Sequence, residues 1–125
     1  MASFTVGTDL VEVERIRKSC QRESFVNRVY AEVEKEYFKK FRDPAESMAG
    51  SWAAKEAFSK SLGTGVRGFE LTEAAVVRDE LGCPHLELTG KAEEIARERG
   101  LDFSLSITHT KEYASAVVIA FPKED

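Results

Sequence analysis

Polar and apolar residues alternate near the N-terminus, and this two-residue period predicts a β-strand over residues 4–13. Both predicted faces of the strand carry apolar side chains, with Phe4, Val6 and Leu10 on one and Asp9, Val11 and Val13 on the other. A helical pattern follows from about Glu14 and breaks near Cys20, and a second one covers residues 32–41. The first third of the chain is therefore predicted to be one strand followed by short helices.

The longest predicted helix begins at residues that favour helix N-termini. Asp43 is a good N-cap, Pro44 suits the first helical position, and Glu46 places a negative charge in the first turn. The helical pattern continues to Leu62, and Gly63 is expected to end the helix in the left-handed conformation. The sequence thus predicts one long helix near the middle of the chain.

The second half of the chain is predicted to contain two hairpins separated by a short helix. These elements are strands 70–78 and 85–88, a helix over 89–99 closed by Gly100, and strands 103–109 and 113–121. Helices and strands without regular β-α-β alternation predict the α+β class, with a mostly antiparallel sheet packed against the long central helix.

Composition and length narrow the class of protein. A chain of 125 residues with 42% hydrophobic and 32% charged residues fits one globular domain over residues 1–125. No apolar run approaches the ~20 residues of a membrane span, and no signal peptide is visible, so we expect a cytoplasmic protein without membrane association. Cys20 and Cys83 match no metal or redox spacing, and both are expected to be free thiols.

The charge distribution is more informative than the total. A net charge of −4 argues against general nucleic-acid binding. Arg15, Lys18 and Arg22 nevertheless fall on one face of a predicted helix. This cluster is either a solvated helix face or a docking patch for an acidic partner, because concentrated like charge steers association.

The central helix separates an apolar face from a charged one. Its apolar arc consists of Ala53, Ala54, Ala57, Phe58, Ser61 and Leu62. Glu56 and Lys60 lie on the other side together with Trp52, and the loop Gly63–Gly65 follows. Glu56 and Lys60 form either an exposed i,i+4 pair or part of a stripe that faces a cleft. The tryptophan and the glycine-rich loop favour the cleft.

Asp9 is the second candidate carboxylate. It shares its strand face with apolar residues, where an unpaired charge is costly to bury. Asp9 is either a strand-end carboxylate that accepts backbone hydrogen bonds or a partner of Glu56 in a metal site. Two carboxylates and the oxygens of a diphosphate suit Mg²⁺, and the cation offsets their mutual repulsion.

His109 follows Leu105 and Ile107 at strand spacing, so the pattern directs it toward the apolar side. A single histidine in this position is commonly a satisfied core residue. Ser106, Thr108 and Thr110 supply polar neighbours that also permit a functional role.

Three segments in a fixed order resemble a known family. GTDLVEVERI, WAAKEAFSKSLGTG and SLSITHTKEYASAVV resemble the holo-(acyl-carrier-protein) synthase family of 4′-phosphopantetheinyl transferases, over about Val6 to Ile119. The resemblance implies that the chain transfers phosphopantetheine from coenzyme A to a serine of apo acyl carrier protein, releasing adenosine 3′,5′-bisphosphate, in fatty acid biosynthesis. It also implies a homotrimer with sites between subunits.

The resemblance assigns roles to individual residues of this sequence. Asp9 and Glu56 correspond to ligands of catalytic Mg²⁺, and Lys60 to a catalytic contact with the diphosphate. The residues that correspond to coenzyme A contacts are Lys60, Gly63, Thr64, Gly65, His109 and Thr110. The residues that correspond to the carrier-protein docking surface are Arg15, Lys18 and Arg22. The general base is either Glu56 or a water on the metal.

Two departures from the family pattern and two rival functions stay open. Ser51 stands where the family usually has an arginine, which puts one phosphate contact in doubt, and Cys83 replaces the usual lysine of a Gly-Lys-Pro turn. A non-catalytic module that binds coenzyme A or a carrier protein is one alternative. A metal-dependent phosphoesterase is another, and it would need His85 or His109 to help activate water.

Overall fold

The structure, a computed structural model, describes residues 3–63, 65 and 68–124. In chain order these residues form β1 (Thr5–Glu12), α1 (Val13–Ser19), α2 (Glu23–Val29), α3 (Glu32–Phe38), α4 (Ala45–Ser61), a 3₁₀ turn (Leu71–Glu73), β2 (Ala74–Arg78), β3 (Pro84–Leu88), α5 (Gly90–Arg99), β4 (Leu101–His109) and β5 (Tyr113–Pro122). The predicted α+β class and long central helix are confirmed.

The described strands form two antiparallel sheets. The larger sheet has the order β1-β5-β4, and the smaller one is the β2-β3 hairpin. The prediction that a strand begins at residue 70 is wrong, since Leu71–Glu73 forms a 3₁₀ turn instead. The Leu71 and Ala74 carbonyl oxygens accept hydrogen bonds from the Lys55 ammonium of α4, so the helix rather than a partner strand satisfies them.

Helix α4 is the centre of the core. The predicted apolar arc is buried throughout, from Ala53 to Leu62. Other faces of the helix are also buried, including those that carry Gly50, Lys55 and Ser59. The larger sheet covers one side of α4, and the β2-β3 hairpin and α1 contact others. A helix enclosed in this way cannot be recognised from one hydrophobic stripe.

A second core cluster joins α2 and α3 to the central helix. It consists of Phe25, Val29, Tyr30 and Phe38. The Tyr30 and Phe38 rings meet edge to face with centroids 5.0 Å apart, and the Tyr30 hydroxyl donates to the Met48 carbonyl oxygen at 2.7 Å. Trp52 packs beside Phe25 at 5.6 Å between centroids, so its ring is used in packing rather than left facing an open cleft.

The predicted ends of α4 and α5 agree with the structure within one residue, whereas the helix predicted over residues 32–41 already ends at Phe38. Helix α4 begins at Ala45, whose N–H donates to Asp43 Oδ1 at 3.2 Å. Gly63 has a φ of +79°, which confirms the left-handed end of this helix. Gly100 closes α5 with a φ of +64°. Within the described part of the chain no helix combines the length and the apolar character needed to cross a membrane.

The larger sheet has one covered and one uncovered face. Its inner face packs on α4, whereas its outer face exposes an apolar group defined here as the outer patch: Phe4, Val6, Leu10, Val117 and Ile119. Val6 lies opposite Ile119 in the β1-β5 register, so the members of the patch are contiguous across two strands. An exposed apolar group of this kind marks an interaction surface.

Candidate functional site

The site begins where β1 crosses α4. Gly7 permits this close approach, because a Cβ atom there would overlap the Ala57 carbonyl oxygen. The Thr5 hydroxyl reinforces the contact by donating to the Ser61 carbonyl oxygen at 2.7 Å. Gly7 precedes Asp9 by two residues on the same strand face, and Ala57 directly follows Glu56. The backbone contact therefore sets the position of the two candidate carboxylates relative to each other.

Lys60 joins the strand to the helix at this point. Its Nζ donates to Asp9 Oδ1 at 3.3 Å and to the Thr8 carbonyl oxygen at 3.0 Å. The Asp9 side chain is 15% exposed, whereas that of Lys60 is 55% exposed. Asp9 is thus sheltered, while the ammonium remains accessible from solvent.

Glu56 lies within electrostatic range of the same groups. Partial burial and, secondly, the Asp9 carboxylate raise the pKa of Glu56, while Lys60 and Arg15 oppose the shift. Among the described residues no side chain or backbone N–H donates a hydrogen bond to the Glu56 carboxylate. Its oxygens are therefore available for an additional cation or a donor from a ligand.

The donor set fits Mg²⁺. Two carboxylates that repel each other in a half-buried position favour a hard divalent cation, and Mg²⁺ binds oxygen ligands while keeping several waters. Asp9 and Glu56 alone leave most of an octahedral shell unfilled, so ligand oxygens and waters would complete it. The predicted pairing of Asp9 with Glu56 and Lys60 is thus reproduced as a spatial cluster.

Lys55, the residue next to Glu56, was not assigned a role from the sequence. It is fully buried, and its Nζ donates to Glu34 Oε1 at 2.7 Å as well as to two backbone carbonyl oxygens. Glu34 in turn accepts from the Ala31 and Val76 N–H groups. Burial raises the pKa of Glu34 and lowers that of Lys55, and their contact opposes both shifts. This pair fixes the rotation of α4, and thereby the direction of Glu56.

An open groove of about 560 Å³ borders the cluster at Lys60. Its lining also includes Gly63, Arg99 and the apolar residues Phe4, Val6, Leu62 and Leu101. Gly63 and Gly65 both have positive φ angles, +79° and +66°, which bend the chain away from the end of α4. Arg99 donates to the Leu62 carbonyl oxygen at 2.8 Å and adds a cation that the sequence analysis missed. No sequence signal linked Arg99 to this groove, because α5 reaches it only through the tertiary fold. Thr64 lies outside the described residues.

His109 and Thr110 lie in another part of the molecule. His109 Nδ1 is 2.7 Å from Glu46 Oε1, near the first turn of α4, and the imidazole is exposed rather than part of the core. Glu46 precedes Glu56 by ten residues, or about 15 Å along a helix. The Thr110 hydroxyl oxygen accepts the Glu112 and Tyr113 N–H groups in the β4-β5 turn. A single chain does not bring His109 or Thr110 to Asp9.

The basic residues form a surface, but they do not share one helix as predicted. Arg15 and Lys18 are on α1, which ends at Ser19, so Arg22 belongs to the following turn. All three side chains are exposed, and the Arg22 guanidinium lies 5.9 Å from the Phe25 ring centroid. Arg15 is close enough to affect the pKa of Glu56. The basic surface therefore extends to the carboxylates Asp9 and Glu56.

Ser51 is only 3% exposed. Ser51 offers no cation at the position where the family usually has an arginine, and its side chain is enclosed within this chain.

Comparisons with known proteins agree along almost the whole chain. Residues 5–118 match the 4′-phosphopantetheinyl transferase superfamily. The holo-[acyl-carrier-protein] synthase of Caldanaerobacter subterraneus subsp. tengcongensis is 44% identical over 122 residues, which are 96% of each chain. The fold is similar to a Chronobacterium ammoniagenes ACPS–CoA complex, with a TM-score of 0.87, 26% identity and coverage of 98% and 99% of the two chains. It is also similar to a holo-(acyl-carrier-protein) synthase from Bacillus anthracis in complex with CoA (3′,5′-ADP), with a TM-score of 0.81, 31% identity and coverage of 95% and 96%.

Proposed function

The chain belongs to the 4′-phosphopantetheinyl transferase superfamily, and we propose that it is a Mg²⁺-dependent holo-(acyl-carrier-protein) synthase. It transfers 4′-phosphopantetheine from coenzyme A to a serine of apo acyl carrier protein and releases adenosine 3′,5′-bisphosphate. The resulting holo carrier protein serves fatty acid biosynthesis. The observation that carries the proposal is the contact of Lys60 with Asp9 beside Glu56, whose carboxylate accepts no hydrogen bond from the residues that the structure describes. Residues 1–125 are proposed to act as one transferase domain, and a cytoplasmic location stays a prediction.

The reaction joins the serine oxygen to the β-phosphorus of coenzyme A and breaks the bond between that phosphorus and the bridging oxygen. Mg²⁺ held by Asp9 and Glu56 would orient the diphosphate and offset the negative charge that develops on the leaving group. Lys60 would reinforce the same effect as a mobile cation, because its ammonium is half exposed and can turn from Asp9 to a phosphate oxygen.

The serine proton must leave as the new bond forms. Glu56 is the candidate acceptor, because its carboxylate is only partly buried and lies within electrostatic range of Asp9 and Lys60. A water at the site is the alternative acceptor. The groove beside Lys60, with Gly63, Thr64 and Gly65 at its end, is proposed to hold part of coenzyme A, and Arg99 is a further candidate for a phosphate contact.

The carrier protein is proposed to dock on Arg15, Lys18 and Arg22. These side chains are exposed and lie on α1 and the turn after it. Arg15 links this surface to Glu56, which is where the incoming serine must arrive. An acidic carrier surface would be steered toward the site by this charge.

One experiment separates the proposed function from its rivals. The protein is incubated with coenzyme A, Mg²⁺ and an apo carrier protein, and the intact masses of all components are measured. Addition of phosphopantetheine to the carrier supports the transferase. Change in coenzyme A alone indicates a phosphoesterase, and no change in either indicates a binding module. Omission of Mg²⁺ with a chelator present tests the metal, and it should abolish the mass increase.

We further propose that the enzyme is a homotrimer in which His109 and Thr110 of one subunit complete the site of the next. The outer patch supports an association of copies, because it exposes contiguous apolar side chains on a sheet. The separation of His109 from Asp9 within one chain supports a site shared between chains. A ring of identical heterologous contacts would give three equivalent sites.

Mixing inactive variants tests this assembly. Asp9→Ala and His109→Ala are each expected to be inactive, and the two proteins are then unfolded and reassembled together. In random mixed trimers about a quarter of interfaces pair an intact Asp9 side with an intact His109 side, so activity should reappear. Subunit exchange without recovered activity would contradict sharing, and a monomer at working concentration would contradict the trimer.

A further inference from the structure

The tip of the β2-β3 hairpin brings together three side chains that the transferase reaction does not use. Asp79, Cys83 and His85 each offer one ligand atom, and these atoms all lie within 4.8 Å of one another. All three residues are exposed. Within the part of the chain that the structure describes, this is the only such group of three histidine, cysteine or acidic side chains.

The strand register explains why these side chains converge. Val77 pairs with His85 and Arg78 with Pro84, so Asp79 lies opposite Cys83 across the hairpin, an arrangement supported by the 3.0 Å hydrogen bond from the Asp79 N–H to the Cys83 carbonyl oxygen. Cys83 directly precedes β3 and lies two residues before His85, at a spacing that puts both side chains on one side of the hairpin. The convergence follows from backbone pairing rather than from chance side-chain rotamers.

The turn itself accounts for only part of this arrangement. Asp79 Oδ1 accepts the Leu81 and Cys83 N–H groups, each at 2.9 Å, and this closes the turn. Asp79 Oδ2 is left facing His85 Nε2 at 3.1 Å. The Cys83 sulfur has only a weak contact with the Pro84 carbonyl oxygen at 4.0 Å. The turn requires neither the thiol nor the imidazole, so both remain available as ligands.

We propose that Asp79, Cys83 and His85 form a binding site for a divalent transition-metal ion, with Zn²⁺ as the best match. Thiolate, imidazole and carboxylate are the ligand types that Zn²⁺ takes in tetrahedral sites, and a water would supply the fourth ligand. Adjacent ligand atoms in such a site are roughly 3.3–3.8 Å apart. The Asp79–His85 contact of 3.1 Å is near this spacing. The Cys83 sulfur lies within 4.8 Å of the other two ligand atoms, which exceeds this spacing by about 1 Å at most.

The two metal sites would differ in chemistry. Asp9 and Glu56 offer only oxygen ligands, which suit Mg²⁺, whereas the hairpin offers sulfur and nitrogen, which select softer ions. Binding at the hairpin would release the thiol proton and tie its two strands together at the tip. Cys83 is a free thiol, as predicted, and no linear spacing marks the group because its members come from both sides of a turn.

The probe for this site is Co²⁺, whose complexes with thiolates have a charge-transfer absorption band. Tag-free protein in a phosphine reductant is titrated with Co²⁺, and one ion per chain should produce the band. Cys83→Ser should abolish it, and His85→Ala or Asp79→Ala should weaken Co²⁺ binding roughly tenfold or more. Zn²⁺ should displace the Co²⁺, whereas excess Mg²⁺ should not.

Two matched variants serve as controls. Cys20→Ser removes the half-buried thiol elsewhere in the chain, and Glu56→Gln removes a ligand of the proposed Mg²⁺ site; both should retain the band. Hydrogen exchange at the Leu81 and Cys83 amides should slow when Zn²⁺ is added to the wild type but not to Cys83→Ser. Absence of the band, its survival in Cys83→Ser, or its loss in Cys20→Ser would overturn the proposal.

Discussion

Two lysine–carboxylate contacts on the same helix have opposite characters. Lys55 is buried and its Nζ has three protein acceptors, one of them Glu34. Lys60, little more than one turn further along α4, is half exposed and contacts Asp9 at 3.3 Å. Beside it lies Glu56, which has no hydrogen-bond donor within the described part of the chain. The first contact uses up its hydrogen-bonding capacity within the protein, whereas the second has capacity left for a ligand.

The difference shows how one helix combines support with chemistry. Adjacent residues on a helix point about 100° apart, so Lys55 and Glu56 face different surroundings although they are neighbours in sequence. The buried Lys55–Glu34 pair, called here the closed pair, holds α4 against α3 and β2. The close contact at Gly7 holds the same helix against β1. Glu56 is thereby fixed in direction without being neutralised by a direct partner. Rigid support of an incompletely satisfied group is what a binding site requires.

The largest expected effect comes from breaking the closed pair. Lys55→Met leaves Glu34 buried without its ammonium partner and should lower the free energy of unfolding by about 3–5 kcal/mol. Lys60→Met is the matched control on the same helix, and it should cost less than about 1 kcal/mol because the contact is exposed. Urea denaturation of both variants measures the difference. Equal losses would remove the distinction between the two contacts.

Asp9, Glu56 and Lys60 form the open cluster, and removing a charge from it should affect turnover rather than stability. Asp9→Asn or Glu56→Gln keeps the side-chain shape, yet each should lower the rate of phosphopantetheine transfer by roughly 10²–10³-fold because charge stabilisation in the transition state is lost. Initial rates at fixed Mg²⁺ and a thermal melt of each variant provide the two readouts. Near-normal rates in either variant would argue against its role as a metal ligand.

A charge on the outer patch tests whether the open cluster needs a second chain. Val117→Glu places a carboxylate on the exposed sheet face, so a monomer should fold normally while association is prevented. Loss of the neighbour's His109 and Thr110 should abolish phosphopantetheine transfer, as is expected for His109→Ala. Leu81→Glu is the control, because this 94% exposed residue lies on the hairpin tip. Light scattering should show a trimer for the control and a monomer for Val117→Glu; unchanged assembly would refute the interface.

The smallest expected effect concerns docking of the carrier protein beside the open cluster. Charge reversal at Arg15, Lys18 and Arg22 should raise the KM for the carrier protein about tenfold, since exposed charges contribute modestly, and should leave coenzyme A binding nearly unchanged. The rate should also lose its dependence on salt concentration. Kinetics at low and high ionic strength measure both effects, and an unchanged KM would assign these residues to an ordinary solvated surface.

Local patterns predicted much of the fold. The strand period grouped Val11 with Asp9, and Val11 is buried on the inner face of β1, although Val13 already belongs to α1. The helix period placed the arc from Ala53 to Leu62 in the core. The ends of α4 and α5 were recognisable because Asp43, Gly63 and Gly100 have strong conformational preferences. Two predictions from these patterns were wrong. Residues 71–73 form a turn beside Lys55 rather than extend a strand, and Arg22 lies beyond the helix that carries Arg15.

The sequence by itself determined the elements, the family resemblance and the candidates Asp9, Glu56 and Lys60, because each depends on residue types at short spacing. Only the tertiary structure decided that Lys55 is enclosed while Glu56 is open, since that depends on Glu34, 21 residues away in the chain. It also placed His109 against Glu46, where a strand pattern had directed it to the core. Burial and pairing of charges arise from contacts between distant segments, and periodicity within one segment carries no information about them.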